Sequence, residues 1–223
     1  EKYRMSAKLI SYSQNENQDS LLDQIAFAAR VSNPSNQSNS QTSEKLVRYL
    51  IKEGHWSPLE MVSACIEIDT TRDIARQILR HRSFSFQEFS QRYADPTTDL
   101  EMVTREPRLQ DTKNRQNSID IAEGDEVVNK HLWESSQQSL IVQAKTVYKW
   151  AIEQGIAKEQ ARAVLPEGLM GSRMYMNGTL RSWVHYIELR SGNGTQKEHM
   201  EIARQCAEAL EPVFPMIKEF ISE

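Results

Sequence analysis

The sequence predicts an α+β fold, a single mixed α/β domain over residues 1–223 with a central sheet flanked by helices. A chain of 223 residues suffices for one sizeable core, and it contains no convincing linker and no internal repeat. Several segments carry apolar residues at helical spacing, whereas residues 62–68 alternate as a half-buried strand does. The few strand candidates do not alternate regularly with the helices, which is the pattern of α+β proteins.

Residues 8–12 read as a short strand. Residues 20–31 have helical spacing, with Leu21, Leu22, Ile25, Ala28 and Ala29 on one stripe. Residues 33–43 form an Asn/Ser/Gln loop with no means of building a core. A second helix over 44–53 ends at Gly54. In the 62–68 strand, Ala64, Ile66 and Ile68 share one side. Thr70 or Thr71 can cap the next helix, because Asp73 falls in its first turn. That helix, TRDIARQILRHR over 71–82, turns Ile74, Ile78 and Leu79 inward and places Arg76 and Arg80 on another face. Residues 132–154, closed by Gly155, are the longest helical segment, and 158–165 are a shorter one stopped by Pro166. Residues 180–190 come next, with Thr179 as a cap and Gly192 as terminator. Residues 198–210 close the fold, with Ile202, Cys206, Ala209 and Leu210 on one stripe.

Composition excludes some function classes. A net charge of −4 and a pI near 5.8 give no overall field towards nucleic acid or an anionic membrane. No run of about 18 apolar residues exists to span a bilayer, and the start, EKYRMSAKLISYS, lacks the apolar core of a signal peptide. Cys65 and Cys206 lie far apart and outside any C-x-x-C arrangement. They suit a reducing cytoplasm, the expected location, and argue against a disulfide scaffold or a zinc ribbon. The histidines show no H-x-x-x-H or H-E-x-x-H spacing, so no metal is expected. Arginine outnumbers lysine among the 27 basic residues, and its planar fork suits carboxylates and phosphates.

One stretch stands apart: RHRSFSFQEFSQR, Arg80 to Arg92, which gathers arginines, a histidine and serines around one carboxylate, Glu88. Charge complementing a helix C-terminus, worth about 0.3–1 kcal/mol per residue, would explain Arg80, His81 and Arg82 alone. It leaves the phenylalanines and serines of 83–90 unexplained. If 83–92 were extended, Phe84, Phe86, Glu88, Ser90 and Arg92 would point one way and Ser83, Ser85, Gln87, Phe89 and Gln91 the other, so neither face is uniform. A loop half-buried by its phenylalanines and presenting hydroxyls and guanidiniums inward accounts for the pattern better, and it suits a phosphorylated small molecule. Nucleic acid is the poorer choice, because the chain has no basic stripe and no RNA-binding signature. A second cluster lies in 179–190. Leu180, Trp183, Val184 and Ile187 make an inward stripe with Arg190 at its edge, where a guanidinium needs an anionic or polar partner, whether a structural Glu or a ligand. Arg181 and His185 share a neighbouring face.

Arg80-His81-Arg82, seven residues and then Ser90 match the R-H-R-x7-S signature, with Gln77, Glu88 and Arg92 around it. GHWSP at 54–58, ARAVLP at 161–166 and NGTLRSWVHYIELR at 177–190 fall in order, and over about 20–210 the chain resembles the flavin-dependent thymidylate synthases. The resemblance implies conversion of dUMP to dTMP with methylenetetrahydrofolate as carbon donor and NADPH to reduce a bound FAD. It implies a homotetramer with a mixed α/β fold whose active sites are built from several subunits, without nucleic-acid or membrane partners. By the same resemblance Gln77, Arg80, Glu88, Ser90, Gln91 (through its backbone), Arg92 and Arg162 would hold dUMP, with Ser90 and Arg92 mainly on its phosphate. His55, Ser57, Arg80, His81, Arg82, Glu88, Thr179, Arg181 and His185 would hold FAD. Arg190 would face the uracil ring as the catalytic residue. Thr179 and His185 stand where relatives often carry an amide, and the family's intersubunit FAD groove needs no G-x-G-x-x-G fingerprint.

These roles make chemical sense. Carbon 5 of uracil is a poor nucleophile until electron density enters the ring. A guanidinium against the ring stabilises that anion, and because it keeps its proton its role is electrostatic. A nucleophilic cysteine needs partial exposure and a lowered pKa, whereas Cys206 lies on an apolar stripe and Cys65 in a strand, both as packing residues. Ser90 has no His or Lys base beside it in sequence and reads as a binder. The rival classes are a binding module using the basic loop for RNA or nucleotides, and a flavoenzyme of the same family acting on another pyrimidine nucleotide.

Overall fold

A computed structural model describes residues 5–223. Residues 1–4, which open the stretch read as lacking a signal peptide, lie outside it. The order is β1 (Ser6–Tyr12), α1 (Leu21–Ala29), α2 (Ser43–Lys52), β2 (Ser63–Thr71), α3 (Arg72–Ile78), β3 (Ser85–Glu88), α4 (Pro96–Asp99), β4 (Arg108–Gln110), β5 (Ser118–Asp120), α5 (Lys130–Glu153), α6 (Lys158–Ala161), β6 (Gly171–Thr179), α7 (Leu180–Arg190) and α8 (Lys197–Leu210). Helices and an antiparallel sheet together make the α+β architecture expected from the sequence.

The main sheet runs β1-β2-β6-β3 with every neighbouring pair antiparallel, and β4 pairs with β5 as a separate hairpin. Register sets the two faces. Ala64, Ile66 and Ile68 lie opposite Gly178, Met176 and Met174, and all six residues face the core. There they meet Trp183, Val184 and Ile187 of α7 and Ile202, Ala203, Cys206 and Leu210 of α8. The other face is polar, with Arg173 bonding Asp69 at 2.8 Å, so the sheet is packed on one side and solvated on the other. A smaller core joins Ala144, Tyr148 and Ala151 of α5 to Ala161, Leu165 and Met170.

Local chemistry explains the ends. Ser20 caps α1 by accepting from the Asp23 amide at 3.1 Å. Gly54, at φ +71°, takes the left-handed conformation that stops α2. Thr179 caps α7, its Oγ1 accepting from the Ser182 amide at 3.3 Å.

Three expectations are corrected. The helix expected over 71–82 starts at Arg72, because β2 runs on to Thr71, and ends at Ile78, where the chain tightens through turn bonds from the Arg80 amide to Gln77 and from the His81 amide to Ile78. Arg80, His81 and Arg82 therefore lie beyond the helix, where Phe84 draws the chain into the core against Trp183 at 4.8 Å. The stretch expected as a loop over 83–92 contains the edge strand β3. Glu88 breaks the apolar pattern of its inner face, and it is satisfied there by the Ser172 hydroxyl at 2.9 Å and by the Arg72 guanidinium at 3.8 Å. The helix expected over 158–165 is a four-residue α6 followed by a 3-10 turn at Arg162–Val164. The central strand β6 and the β4–β5 hairpin have no counterpart in the sequence reading. Among the described residues no helix is long and apolar enough to cross a membrane.

Candidate active site

Apart from Glu88, which is held by Ser172 and Arg72 at the end of β3, the residues singled out from sequence fall into three groups. The first forms where the turn after α3 meets the end of α7. Trp183 anchors α7 by donating from Nε1 to the Ala64 carbonyl at 3.0 Å, and Phe84 packs on the same indole, so turn and helix share one support. Arg190 Nε then donates to His81 Nε2 at 2.8 Å. The edge of the His81 ring meets Tyr186 at 4.9 Å between centroids. Tyr186 bonds His199 Nε2 at 2.9 Å, and His199 Nδ1 lies 3.2 Å from Gln77 Oε1. Burial, assisted by the Arg190 charge, lowers the His81 pKa to about 4. Burial, with Arg190 and His81 adding to it, lowers that of His199 to about 3. Both imidazoles are neutral near pH 7. Burial also drives the Tyr186 phenol well above its ordinary range, so it remains a donor.

The second group lies where the chain leaves α2. His55 and Ser57 are exposed, and Trp56 between them packs on His185 with ring centroids 4.4 Å apart. Arg181 Nη1 reaches Glu60 Oε1 at 3.4 Å, which brings His55, Ser57, Arg181 and His185 to one side of α7. Thr179 stands at the start of the same helix, its hydroxyl committed to the cap.

The third group comes after β3. The Tyr93 and Ala94 amides both donate to the Ser90 carbonyl, and the Arg92 amide to Ser90 Oγ at 3.3 Å, which makes a tight turn with Gln91 buried inside it. The exposed Arg92 guanidinium pairs with Glu159 of α6 at 3.2 Å, and Arg162 stands on the next turn.

Among the described residues no hydrogen bond or ion pair links the three groups. Arg80, Arg82, Arg162 and Arg190 also have no carboxylate partner among them. Two cavities, of about 450 Å³ beside the β4–β5 hairpin and about 790 Å³ between residues 101–107 and the starts of α5 and α8, are lined by none of these residues. The sequence reading did not single out Gln196, Glu198 and His199, although Gln77 Nε2 donates to Gln196 Oε1 at 2.8 Å. Gln196 precedes α8 and Glu198 and His199 lie in its first turn, and no motif marks them. No three His, Cys, Asp or Glu side chains among the described residues converge as a metal site would require.

Residues 8–216 match the family described as thymidylate synthase complementing protein. The probable flavin-dependent thymidylate synthase of Paramecium bursaria Chlorella virus 1 is 47% identical over 218 residues, covering 96% of this chain and 97% of that protein. The flavin-dependent thymidylate synthase of a Synechocystis strain is 47% identical over 194 residues, 86% of each chain. Among solved structures, the UMP/dUMP methylase PolB of Streptomyces cacaoi bound with 5-Br UMP superposes with a TM-score of 0.77 at 25% identity, covering 97% of this chain and 93% of PolB. The same enzyme bound with 5-Br dUMP gives a TM-score of 0.79 at 24% identity, covering 98% and 95%.

Proposed function

The chain belongs to the flavin-dependent thymidylate synthase family, and from that premise we propose that it methylates dUMP to dTMP with bound FAD, taking carbon from methylenetetrahydrofolate and reducing power from NADPH. The observation that carries the reading is the contact between Arg190 and His81. It fixes the plane of the guanidinium through Nε and leaves both terminal nitrogens without a hydrogen-bond partner among the described residues, ready for a ligand.

Flavin supplies the redox chemistry when bound. The chain's own residues bind and orient. Arg190 faces the uracil ring and stabilises the anion that makes carbon 5 nucleophilic, a role worth about 3–4 kcal/mol where one such donor has been removed from other enzymes. Neutral His81 holds that guanidinium without competing for its charge. Gln77, Arg80, Glu88, Ser90, the Gln91 backbone, Arg92 and Arg162 hold dUMP, with Ser90 and Arg92 mainly on its phosphate. The Arg92–Glu159 pair is exposed, so a phosphate displaces it at little cost. His55, Ser57, Arg80, His81, Arg82, Glu88, Thr179, Arg181 and His185 hold FAD. The guanidiniums of Arg80 and Arg82, which lack carboxylate partners among the described residues, fit its diphosphate, and Trp56, tilted at 53° against His185, offers an aromatic wall.

We further propose a single domain over residues 1–223 that assembles as a homotetramer in the cytoplasm, with each site completed by neighbouring subunits. Three groups of ligand-type side chains that make no bond to one another support this. So does the outer face of α5, which exposes Leu140, Val147 and Trp150. The reducing compartment rests on the unpaired cysteines.

Purified protein should be yellow and release tritium from dUMP labelled at ring carbon 5 when given methylenetetrahydrofolate and NADPH. Protein that cannot be reconstituted with FAD, or that releases no tritium, overturns the reading. PolB is named for UMP as well as dUMP, so the same assay with UMP and dCMP tests the choice of pyrimidine nucleotide.

A further inference from the structure

We propose that Glu198, Gln196 and His199 form a positioning relay that locks the side-chain amide of Gln77 in one orientation for the nucleotide. This rests on the reading of Gln77 as a dUMP contact. The atoms form one continuous line. Arg108 Nη2 donates to Glu198 Oε2 at 2.7 Å, and Gln196 Nε2 donates to the same oxygen at 3.3 Å. Gln77 Nε2 donates to Gln196 Oε1 at 2.8 Å, Gln77 Oε1 lies 3.2 Å from His199 Nδ1, and His199 Nε2 lies 2.9 Å from the Tyr186 hydroxyl.

A primary amide has nearly the same shape when flipped, so its partners alone decide which end carries the oxygen. Here the decision propagates from one charge. Glu198 is buried, and although burial pushes its pKa up, the Arg108 hydrogen bond and charge outweigh that and hold it below the usual range. An ionised carboxylate only accepts. Gln196 must therefore turn its N–H towards Glu198 and its oxygen towards Gln77. Gln77 must turn its N–H to Gln196 and its oxygen to His199. Neutral His199 must carry its proton on Nδ1, which leaves Nε2 to accept from Tyr186. Every member has one allowed direction. Gln77 is left with one N–H and one oxygen lone pair in fixed positions for a ligand, so no binding free energy is spent on choosing between two amide orientations.

The test removes the direction and then restores it. Glu198→Met keeps the length but removes the acceptor, so Gln196 can turn either N–H or oxygen towards Gln77. The dUMP KM should rise about tenfold, roughly 1.4 kcal/mol, with kcat changed less than about threefold and bound flavin unchanged. Gln196→Met, at a half-buried position, removes the acceptor for Gln77 and should do the same if Glu198→Met folds poorly. Glu198→Gln restores the direction: Arg108 and Gln196 donate to one oxygen and Arg108 can only donate, so the amide oxygen stays at that corner and most of the affinity should be kept. A purely structural need for the charged Arg108–Glu198 pair makes Glu198→Gln as damaging as Glu198→Met. Histidine 15N NMR of the flavin-loaded protein should show His199 protonated at Nδ1, and this reads the relay whether or not dUMP turns over. Wild-type protein that neither binds nor converts dUMP defeats the functional reading. Active wild type with Nε2-protonated His199, with unchanged KM in both methionine variants, or with Glu198→Gln no better than Glu198→Met, defeats the relay alone.

Discussion

Arg190 donates from its guanidinium Nε to the ring Nε2 of His81 at 2.8 Å. A guanidinium N–H can only donate, so His81 Nε2 carries no proton and the imidazole is neutral with its proton on Nδ1. Burial and the nearby Arg190 charge, which together take the His81 pKa to about 4, agree with that geometry. The pair thus orients a permanent cation without neutralising it.

Replacing Arg190 with alanine should therefore damage chemistry rather than cofactor retention. The expected loss in kcat is on the order of 10²–10³-fold, typical of deleting one donor aimed at a developing anion. Tritium release measures it, and the flavin absorbance of the purified variant should equal that of wild type. A variant that keeps most of its turnover shows the role to be misassigned.

Stability should fall with acid before the ordinary carboxylates titrate. His81 and His199 have folded-state pKa values of about 4 and 3, below the unfolded value of 6.5. Between these limits the unfolded chain binds more protons, so the stabilisation present above pH 6.5 is lost as pH falls. The slope is at most about 1.4 kcal/mol per pH unit per histidine. Glu201, raised by burial, acts in the opposite sense but is one group against two. Urea midpoints should be lower at pH 5 than at pH 7, and equal midpoints would refute the buried neutral imidazoles.

Sequence periodicity was enough for the helices that bury one continuous stripe, because α7 and the long α5 carry their own caps and stops. It was not enough for β6. Its alternation of Met174 and Met176 with Arg173, Tyr175 and Asn177 uses, Tyr175 apart, residues of weak strand propensity, and its stability comes from two partner strands distant in sequence. β3 was hidden because Glu88 occupies the inner face with partners that only the fold supplies. At the candidate site, motif spacing brought out Arg80, His81 and Arg190. The line through Gln196, Glu198 and His199 depends on which way α8 faces, which no local pattern reports.

Gly178 is a test of the support beneath the Arg80–Arg82 turn. A Cβ there would stand 2.4 Å from Phe84 Cδ1, and Phe84 is wedged against Trp183 at 4.8 Å and Tyr186 at 5.8 Å. Gly178→Ala should cost about 1–3 kcal/mol and loosen the turn that presents His81 to Arg190. A lower thermal midpoint and a raised KM for dUMP are expected. An unchanged midpoint would mean that Phe84 yields freely.

Neither cysteine should matter to turnover. Cys206 is fully buried and its thiol is pushed up by that burial, and burial also raises the half-buried Cys65. Neither has the lowered pKa that a thiolate nucleophile requires. Cys65→Ala and Cys206→Ala should each keep kcat within about threefold, with some loss of stability for Cys206. A collapse of kcat with dUMP binding intact would restore a cysteine mechanism.

Ser90 separates a binding role from a nucleophilic one. Its carbonyl accepts from the amides of Tyr93 and Ala94, so the backbone holds the turn without the hydroxyl, whose recorded bond is the 3.3 Å contact from the Arg92 amide. Ser90→Ala should keep the turn and lose one hydrogen bond to a phosphate, a charged acceptor for which a bond is worth about 1.5–3 kcal/mol. Isothermal titration should show dUMP binding weakened roughly ten- to a hundredfold, and tritium release at saturating dUMP should persist. If the hydroxyl were instead the attacking group, the variant would bind dUMP normally and release no tritium, and a side chain now read as a phosphate ligand would have to be moved to the centre of the reaction.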